Sequence, residues 1–417
     1  MLQAAPFNPR EIRIADFTYQ LPAGRIAAHP LRQRDQSRLL VYRNGLIRDD
    51  VFSNLPDHLP PGTLLVVNDT RVIEARIFFS KPTGGMIEIF CLEPFEQTIE
   101  ETMQQRFSAE WKCLIGGASK WKPGQVLHKA LRVNDSEVVL QATFRGRLED
   151  SFRILFEWND EHTFSEVLHA AGAIPLPPYI HREAELEDAD RYQTIFGIHE
   201  GSVAAPTAAL HFTPEVFDRL RNKGIHTEKI TLHVGAGTFK PVKSEQIGGH
   251  HMHTEPFSVT KATLEHLASS ERIAAVGTTS LRTLESLYWL GIRLKFLHDT
   301  SFELGQWDAY ELDSQYGKTG FSESCRWLIQ WMEQKSIEEI HCRTGIIIVP
   351  GYTCRTASAL ITNFHQPQST LLLLVAAFAG KDWKKIYNHA LEHDYRFLSY
   401  GDSSLLWKAG DNKNPSG

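Results

Sequence analysis

Three stretches of the chain place residues capable of chemistry at the ends of apolar runs. Asn68-Asp69-Thr70-Arg71 follows Leu-Leu-Val-Val. Gly277-Thr278-Thr279-Ser280-Leu281-Arg282 follows the apolar stretch that ends at Val276, with Glu285 one turn further on. Ile361-Thr362-Asn363-Phe364-His365-Gln366-Pro367 precedes a long apolar segment. In an open α/β sheet, ligands bind beyond the carboxyl ends of the strands, so these three loops are the expected walls of a site. Asn, Asp and Thr also form capped turns, which is the plain alternative at 68–71. Arg71 and Arg76 fit that alternative less well, because an arginine fork suits a carboxylate or a phosphate. At 277–282, a glycine followed by hydroxyls at a strand-to-helix junction offers free backbone N–H groups to an anion, such as the amino acid end of a nucleotide-like ligand. Ser280 could equally be only a helix cap. His365 has an imidazole usable as acid or base near neutrality, although a single histidine is more often structural.

Two further stretches have the texture of a ligand wall. Ala204-Ala205-Pro206-Thr207-Ala208-Ala209-Leu210-His211-Phe212 is built of small residues, as a wall must be where a flat ligand nears the backbone. Thr231-Leu232-His233-Val234-Gly235-Ala236-Gly237-Thr238-Phe239 sets two glycines two apart after an extended run. That pattern permits close approach, but it lacks the third glycine of a dinucleotide fingerprint. His250-His251-Met252-His253 with Glu255 matches no helical metal-ligand spacing, so a polar lid or base-contacting loop is the better reading, and no metal is expected.

The elements that must position these residues alternate along most of the chain. Ser37–Tyr42 and Thr63–Val67 read as strands, the second buried on both faces. Thr163–Ala171, Pro214–Lys223 (capped by Thr213 and closed by Gly224), Lys261–Ser270, an amphipathic Leu281–Leu290 and Ser369–Gly380 read as helices. Ile225–Val234, Arg272–Val276, the all-apolar 346–349 and Ala357–Thr362 read as strands. From 71 to 158 the texture changes to short alternating runs between tight turns, which suits a small antiparallel barrel. The expected fold is therefore α/β, with a large, mostly parallel α/β domain (1–70 and 159–417) and an inserted small antiparallel β-barrel domain (71–158).

Composition restricts the partners. With 417 residues, two domains are the natural expectation. The five cysteines are scattered without a C-x-x-C pair, which suggests neither a disulfide framework nor a cysteine zinc site and fits a reducing, cytoplasmic setting. The N-terminus has no signal-peptide core, and the longest apolar run, Leu371–Ala379, is far short of the ~20 residues a membrane span needs. Net charge is −6, so a nucleic-acid partner would need a local basic face. Arg145 with Arg147, Arg219 with Arg221 and Lys223, and Lys381 with Lys384 and Lys385 are the candidates; each also reads as an ordinary solvated cluster. The tail after Lys408 reads as disordered.

Long motifs in a fixed order then make the chain resemble one family. They run from Asp16-Phe17 and Leu21-Pro22 through Arg34–Leu40, Asn68–Ile73, Pro175–Ile180, Tyr192-Gln193-Thr194, Ala204–Ala208, Leu232–Phe239, Gly277–Ser280 and Thr362–His365 to Tyr395–Asp402. The chain is similar to the S-adenosylmethionine:tRNA ribosyltransferase-isomerases of queuosine biosynthesis. The resemblance implies a large α/β domain with an inserted β-barrel. It also implies transfer and isomerisation of the ribosyl moiety of S-adenosylmethionine onto 7-aminomethyl-7-deazaguanine at the tRNA wobble position. Epoxyqueuosine-tRNA, adenine and methionine are the implied products. Such a protein would have no prosthetic group and S-adenosylmethionine as ribosyl-donor substrate; it would be a cytoplasmic partner of tRNA, a monomer with a dimer as the alternative. His233, His211, His365 and Asp69 are the implied catalytic residues, His233 first among the proton-transfer candidates. Asn68, Arg71, Pro206, Thr207, Gly235, Gly237, Thr238, Thr278, Thr279, Ser280, Arg282 and Asn363 would bind substrate. A non-catalytic tRNA- or nucleotide-binding relative on the same fold is the second reading, and a methyltransferase the third. The chain departs from the family pattern at Ala209, where glycine is common, and at 397–403. A further departure is a segment of about forty residues between Asp299-Thr300 and Thr344-Gly345. That segment contains a helix over 322–334 whose Trp327 and Trp331 read as a packing face or, alternatively, as a surface turned to tRNA.

Overall fold

The computed structural model describes residues 7–81, 84–122, 124–235, 237 and 242–408. Thr238 and the tail beyond Lys408 lie outside the described residues.

Ten strands form the large sheet, in the order Glu303–Leu304, Glu339–Thr344, Glu255–Thr260, His226–Leu232, Leu64–Asn68, Ile273–Val276, Ala359–Asn363, Ser403–Trp407, Arg38–Arg43 and Leu46–Val51. The four at its centre, from His226–Leu232 to Ala359–Asn363, run parallel to one another. Antiparallel neighbours extend the sheet on both sides, so it is parallel at its heart and mixed at its flanks. Leu64–Asn68, Ile273–Val276 and Ala359–Asn363 are buried at every residue, as unbroken apolar runs covered on both faces should be. Because the four central strands share a direction, Asn68, His233, Gly277 and Asn363 all emerge at one end of the sheet.

The second sheet has seven strands, all paired antiparallel: Gly172–Ala173, Arg76–Ser80, Met86–Pro94, Ser108–Gly116, Phe152–Glu157, Ser136–Arg147 and Val126–Val133. It curls into a partly open barrel. No strand ladder joins Val126–Val133 to Arg76–Ser80, but Lys129 Nζ donates to the Phe78 carbonyl at 3.1 Å across that gap. Its core holds Phe79, Trp111 and Phe156, and the helix Phe164–Ala171 packs Phe164, Val167 and Leu168 into it. That helix starts at a capping box in which the Thr163 hydroxyl and the Glu166 side chain satisfy each other's backbone N–H groups.

Two expectations about local structure fail, for identifiable reasons. The helix expected over Leu281–Leu290 runs from Gly277 to Leu297, and it is buried on all sides from Gly277 to Ile292. The sheet covers one face, and the helix Phe321–Lys335 from the long extra segment covers another. Gly291 permits that second contact: a Cβ there would lie 2.1 Å from Ser324 Oγ. Trp327 and Trp331 pack edge-on against Phe296 and Phe302, so the tryptophan pair is a packing face. The second failure is 346–349, which is buried but pairs with no strand among the described residues. Its backbone groups bond to side chains and a loop instead: Ile347 O accepts from Tyr310 Oη at 3.1 Å, Val349 N donates to Tyr310 Oη at 3.0 Å, Ile346 O accepts from Arg282 Nε at 3.3 Å, and Ile347 N donates to the Gln306 carbonyl at 3.3 Å. An apolar run signals burial; it does not specify a ladder partner.

Candidate active site

At the carboxyl ends of the central strands lies a cleft open to solvent. Ala204–Ala208 forms one wall, Gly277-Thr278-Thr279 a second, and Thr362, Asn363, His365 and Gln366 a third. Small side chains keep the first wall close to the backbone. Gly277 has φ +91°, which lets the buried strand Ile273–Val276 turn directly into the helix without a side-chain cap. Its first-turn N–H groups are thereby left at the cleft, together with the positive end of the helix dipole.

The third wall is held by a relay of hydrogen bonds. Thr207 Oγ1 donates to Asn363 Oδ1 at 2.9 Å, and Asn363 Nδ2 lies 3.2 Å from His211 Nε2. His211 Nδ1 in turn lies 3.4 Å from the Arg34 carbonyl. An amide N–H on one ring nitrogen and a carbonyl on the other assign a neutral imidazole protonated at Nδ1. Burial pushes the His211 pKa down to about 4, in keeping with that assignment. His211 therefore stands behind the wall and positions Asn363; it does not line the cleft. His365 does line it. Its Nε2 bonds to Thr362 Oγ1 at 2.9 Å, its backbone N–H donates to Tyr387 Oη at 3.1 Å, and burial pushes its pKa down to about 4.

The residues of the first polar loop sit elsewhere. Asn68 is fully buried, with Nδ2 donating to Leu232 O at 2.9 Å and Oδ1 accepting from Leu232 N at 3.1 Å and Thr70 N at 3.2 Å. It ties two strand ends together and has no face toward the cleft. Asp69 accepts from Thr231 Oγ1 at 2.7 Å, and burial raises its pKa. Arg71 is exposed on the short strand Thr70–Val72, outside the cleft lining. Arg76 belongs to the barrel, where it pairs with Glu88 at 2.8 Å. His233 is also behind the cleft wall, which its neighbour Val234 lines. Its Nδ1 bonds to Thr70 Oγ1 and its Nε2 to Glu100 Oε1, both at 3.2 Å. Glu100 stands on the barrel's helix Ile99–Met103, and the bond to His233 holds its carboxyl below the usual range. Gly201 makes room for the ring, since a Cβ there would lie 2.7 Å from His233 Nδ1.

A second, smaller cavity adjoins the first, and Leu371 lines both. Gly237, His250, Met252, His253, Glu255, Arg282 and Ile346–Ile348 surround it. Arg282 is buried and ion-paired with Glu255, whose other oxygen accepts from Gly235 N at 3.2 Å. Thus Pro206, Thr207, Thr278, Thr279, Asn363 and His365 meet at the first cavity, and Gly237 and Arg282 at the second. Ser280 belongs to neither: it is fully buried inside the helix, its Oγ donating to Val276 O at 2.7 Å, so it is not a helix cap either. Glu285, one turn beyond, is a structural acceptor for Tyr352 Oη, Arg355 N and Thr356.

Tyr179, Leu398 and Ser399 also line the cleft and were not singled out from the residues. Tyr179 Oη and Ser399 Oγ bond at 2.6 Å, and Leu398 holds the left-handed φ of +69° at the wall. The only signals were their positions in two of the ordered motifs. Among the described residues, one group brings three metal-ligand atoms within 4.8 Å, Asp49 with His389 and His393, and none of these lines the cleft. The 250–255 stretch does not form such a group. Of the basic clusters, Arg219 pairs with Asp57 and Arg221 with Asp218, while Lys385 caps the Gly45 carbonyl. No described helix is long and apolar enough to cross a membrane.

Known proteins match most of the sequence. A family model described as "Queuosine biosynthesis protein" matches residues 14–406. The S-adenosylmethionine:tRNA ribosyltransferase-isomerase of Thermotoga petrophila is 39% identical over 403 residues, covering 95% of this chain and 100% of its own. The protein of that name from Pelobacter propionicus is 38% identical over 400 residues, covering 94% and 99%. A crystal structure of S-adenosylmethionine tRNA ribosyltransferase from Thermotoga maritima is 29% identical, covers 94% of this chain and 99% of its own, and superposes with a TM-score of 0.44.

Proposed function

Because the chain belongs to the queuosine biosynthesis protein family, we propose that it carries out the S-adenosylmethionine:tRNA ribosyltransferase-isomerase reaction in the cytoplasm. The observation that carries this reading is identity of 39% spread over 95% of the chain and all of the relative. The ribosyl group of S-adenosylmethionine passes to the aminomethyl group of 7-aminomethyl-7-deazaguanine in tRNA; adenine and methionine leave, and epoxyqueuosine remains in the tRNA.

The reaction needs a base, a proton donor for the departing adenine and a holder for the ribosyl group. A sulfonium acidifies the adjacent 5′ carbon, so removal of a proton there can start the sequence. We assign that role to His365. It lines the cleft, and burial keeps it unprotonated at neutral pH. His211 serves by holding Asn363 and Thr207 in place. His233, bonded to Thr70 and Glu100, holds the junction between the cleft wall and the barrel. The small wall Ala204–Ala208 takes the flat adenine, and exposed Arg71 is available to a tRNA phosphate.

Incubation with S-adenosylmethionine and tRNA carrying 7-aminomethyl-7-deazaguanine, followed by chromatography of the small molecules, tests this. Adenine and methionine in equal amounts are expected. S-adenosylhomocysteine would identify a methyltransferase instead, and binding of both substrates without turnover would identify a non-catalytic relative.

A further inference from the structure

Two polar atoms lining the joined cavities are buried without any hydrogen-bond partner: Thr279 Oγ1 and Arg282 Nη2. Their residues are 8% and 6% exposed. A buried donor left unpaired is costly, most of all on a guanidinium, and folded proteins rarely keep one without a use for it. These two sit three residues apart on the helix Gly277–Leu297, hence on one face of it. One lines the first cavity and the other lines the second, and Leu371 borders both. A single ligand that spans the two cavities would satisfy both atoms.

The chemistry of the second cavity selects which end of the ligand it takes. Arg282 is not spare charge: Nη1 is committed to Glu255 and Nε to the Ile346 carbonyl, which leaves Nη2 fixed in direction. Met252, Ile346, Ile348 and Leu374 supply apolar wall around the pair, and His250, His253 and Thr370 add polar groups to it. The buried Arg–Glu pair has no net charge but a strong internal polarity. Its complement is a small zwitterion carried on a hydrocarbon arm, with a carboxylate toward the guanidinium and an ammonium toward the carboxylate.

We propose that this second cavity seats the α-amino acid end of S-adenosylmethionine, with Arg282 Nη2 gripping its carboxylate and Glu255 facing its ammonium. The proposal rests on the functional reading above. It places the adenosyl group against Ala204–Ala208 and Thr279, and the sulfonium at Leu371, between the two cavities. Methionine, once released, then lies in a compartment separate from adenine.

Calorimetric titration of the wild-type protein with three ligands tests it without any mutation. S-adenosylmethionine should bind roughly 10–100-fold more tightly than decarboxylated S-adenosylmethionine, the loss expected for one charged hydrogen-bonded contact. 5′-Methylthioadenosine, which lacks the whole amino acid arm, should bind at least as weakly as the decarboxylated form. In Arg282→Gln the advantage of the carboxylate should vanish while 5′-methylthioadenosine binding stays as in the wild type. Equal affinity of the wild type for S-adenosylmethionine and its decarboxylated form overturns the proposal and leaves the functional reading standing. Binding of neither S-adenosylmethionine nor 5′-methylthioadenosine overturns both. Should Arg282→Gln not fold, the wild-type ligand series decides alone.

Discussion

Asn363 Nδ2 donates to His211 Nε2 across 3.2 Å, so the wall of the cleft depends on a histidine that never reaches the cleft. The bond exists only while that nitrogen carries no proton. Replacing Asn363 by Asp sets two acceptors against each other, and the system can relieve this by protonating His211. In the Asn363→Asp variant, an NMR titration should therefore report a His211 pKa raised by at least ~1 unit from its native value of about 4. An unchanged titration would mean that the amide is not the partner that keeps the ring neutral.

The two low-pKa histidines also set the acid stability of the fold. His211 and His365 are both lowered from 6.5 to about 4 by burial. Above pH 6.5 neither the folded nor the unfolded chain protonates them, and they contribute nothing. Between about 6.5 and 4 the unfolded chain takes up protons that the folded chain refuses, so stability falls as pH falls, by on the order of 3 kcal/mol per histidine at the end of the window. Urea denaturation at a series of pH values should show this slope, and His365→Gln should flatten it by one proton. A His365→Gln profile parallel to the wild type would refute the assignment.

The family resemblance puts His233 first for proton transfer, whereas His365 is the histidine that lines the cleft. His233 bonds to Thr70 and Glu100 behind Val234, and His365 lines the cleft. Loss of a general base costs roughly 10²–10⁴ in rate. His365→Ala should accordingly lower single-turnover adenine release by about 100-fold or more, while His233→Ala lowers it by less than about tenfold. The reverse order would restore His233 to the chemistry and make Glu100 its orienting partner.

What the sequence disclosed and what it hid follow one physical rule. Signals that act within a few residues were legible: the hydroxyl cap of Thr213, the left-handed Gly224, and strands buried on both faces. From these, the convergence of polar strand ends could be anticipated. Side chains whose partners lie far along the chain were not legible. Asn68 has the composition of a ligand-binding turn residue, yet it bonds to Leu232, 164 residues away. His233 meets Glu100 across 133 residues, and His211 meets Asn363 across 152. Tyr179 and Ser399 form one hydrogen-bonded pair only because the fold brings together segments 220 residues apart. The helix Gly277–Leu297 was misjudged for a related reason. It reads as short and amphipathic because Arg282, Glu285 and Ser286 look like a solvated face, yet all three are buried against distant partners or the helix backbone.

The cover over this helix is itself testable at Gly291. The helix Phe321–Lys335 approaches so closely there that a Cβ would lie 2.1 Å from Ser324 Oγ and 2.5 Å from the Ser324 carbonyl oxygen. Ser324 cannot simply swing away, because its hydroxyl donates to Tyr288 O at 2.7 Å and its backbone is part of the opposing helix. Gly291→Ala would raise intrinsic helix propensity by about 1 kcal/mol, which alone should stabilise the protein. Overpacking costs about 1–3 kcal/mol, and the contact with backbone puts this site at the upper end. The steric term wins, so thermal denaturation should show a lower Tm for Gly291→Ala. The same helix carries Thr278, Thr279 and Arg282 to the two cavities, so any shift that relieves the clash should weaken S-adenosylmethionine binding as well. A raised Tm would show that the helix pair has room to spare and that the extra segment is only loosely laid over the site.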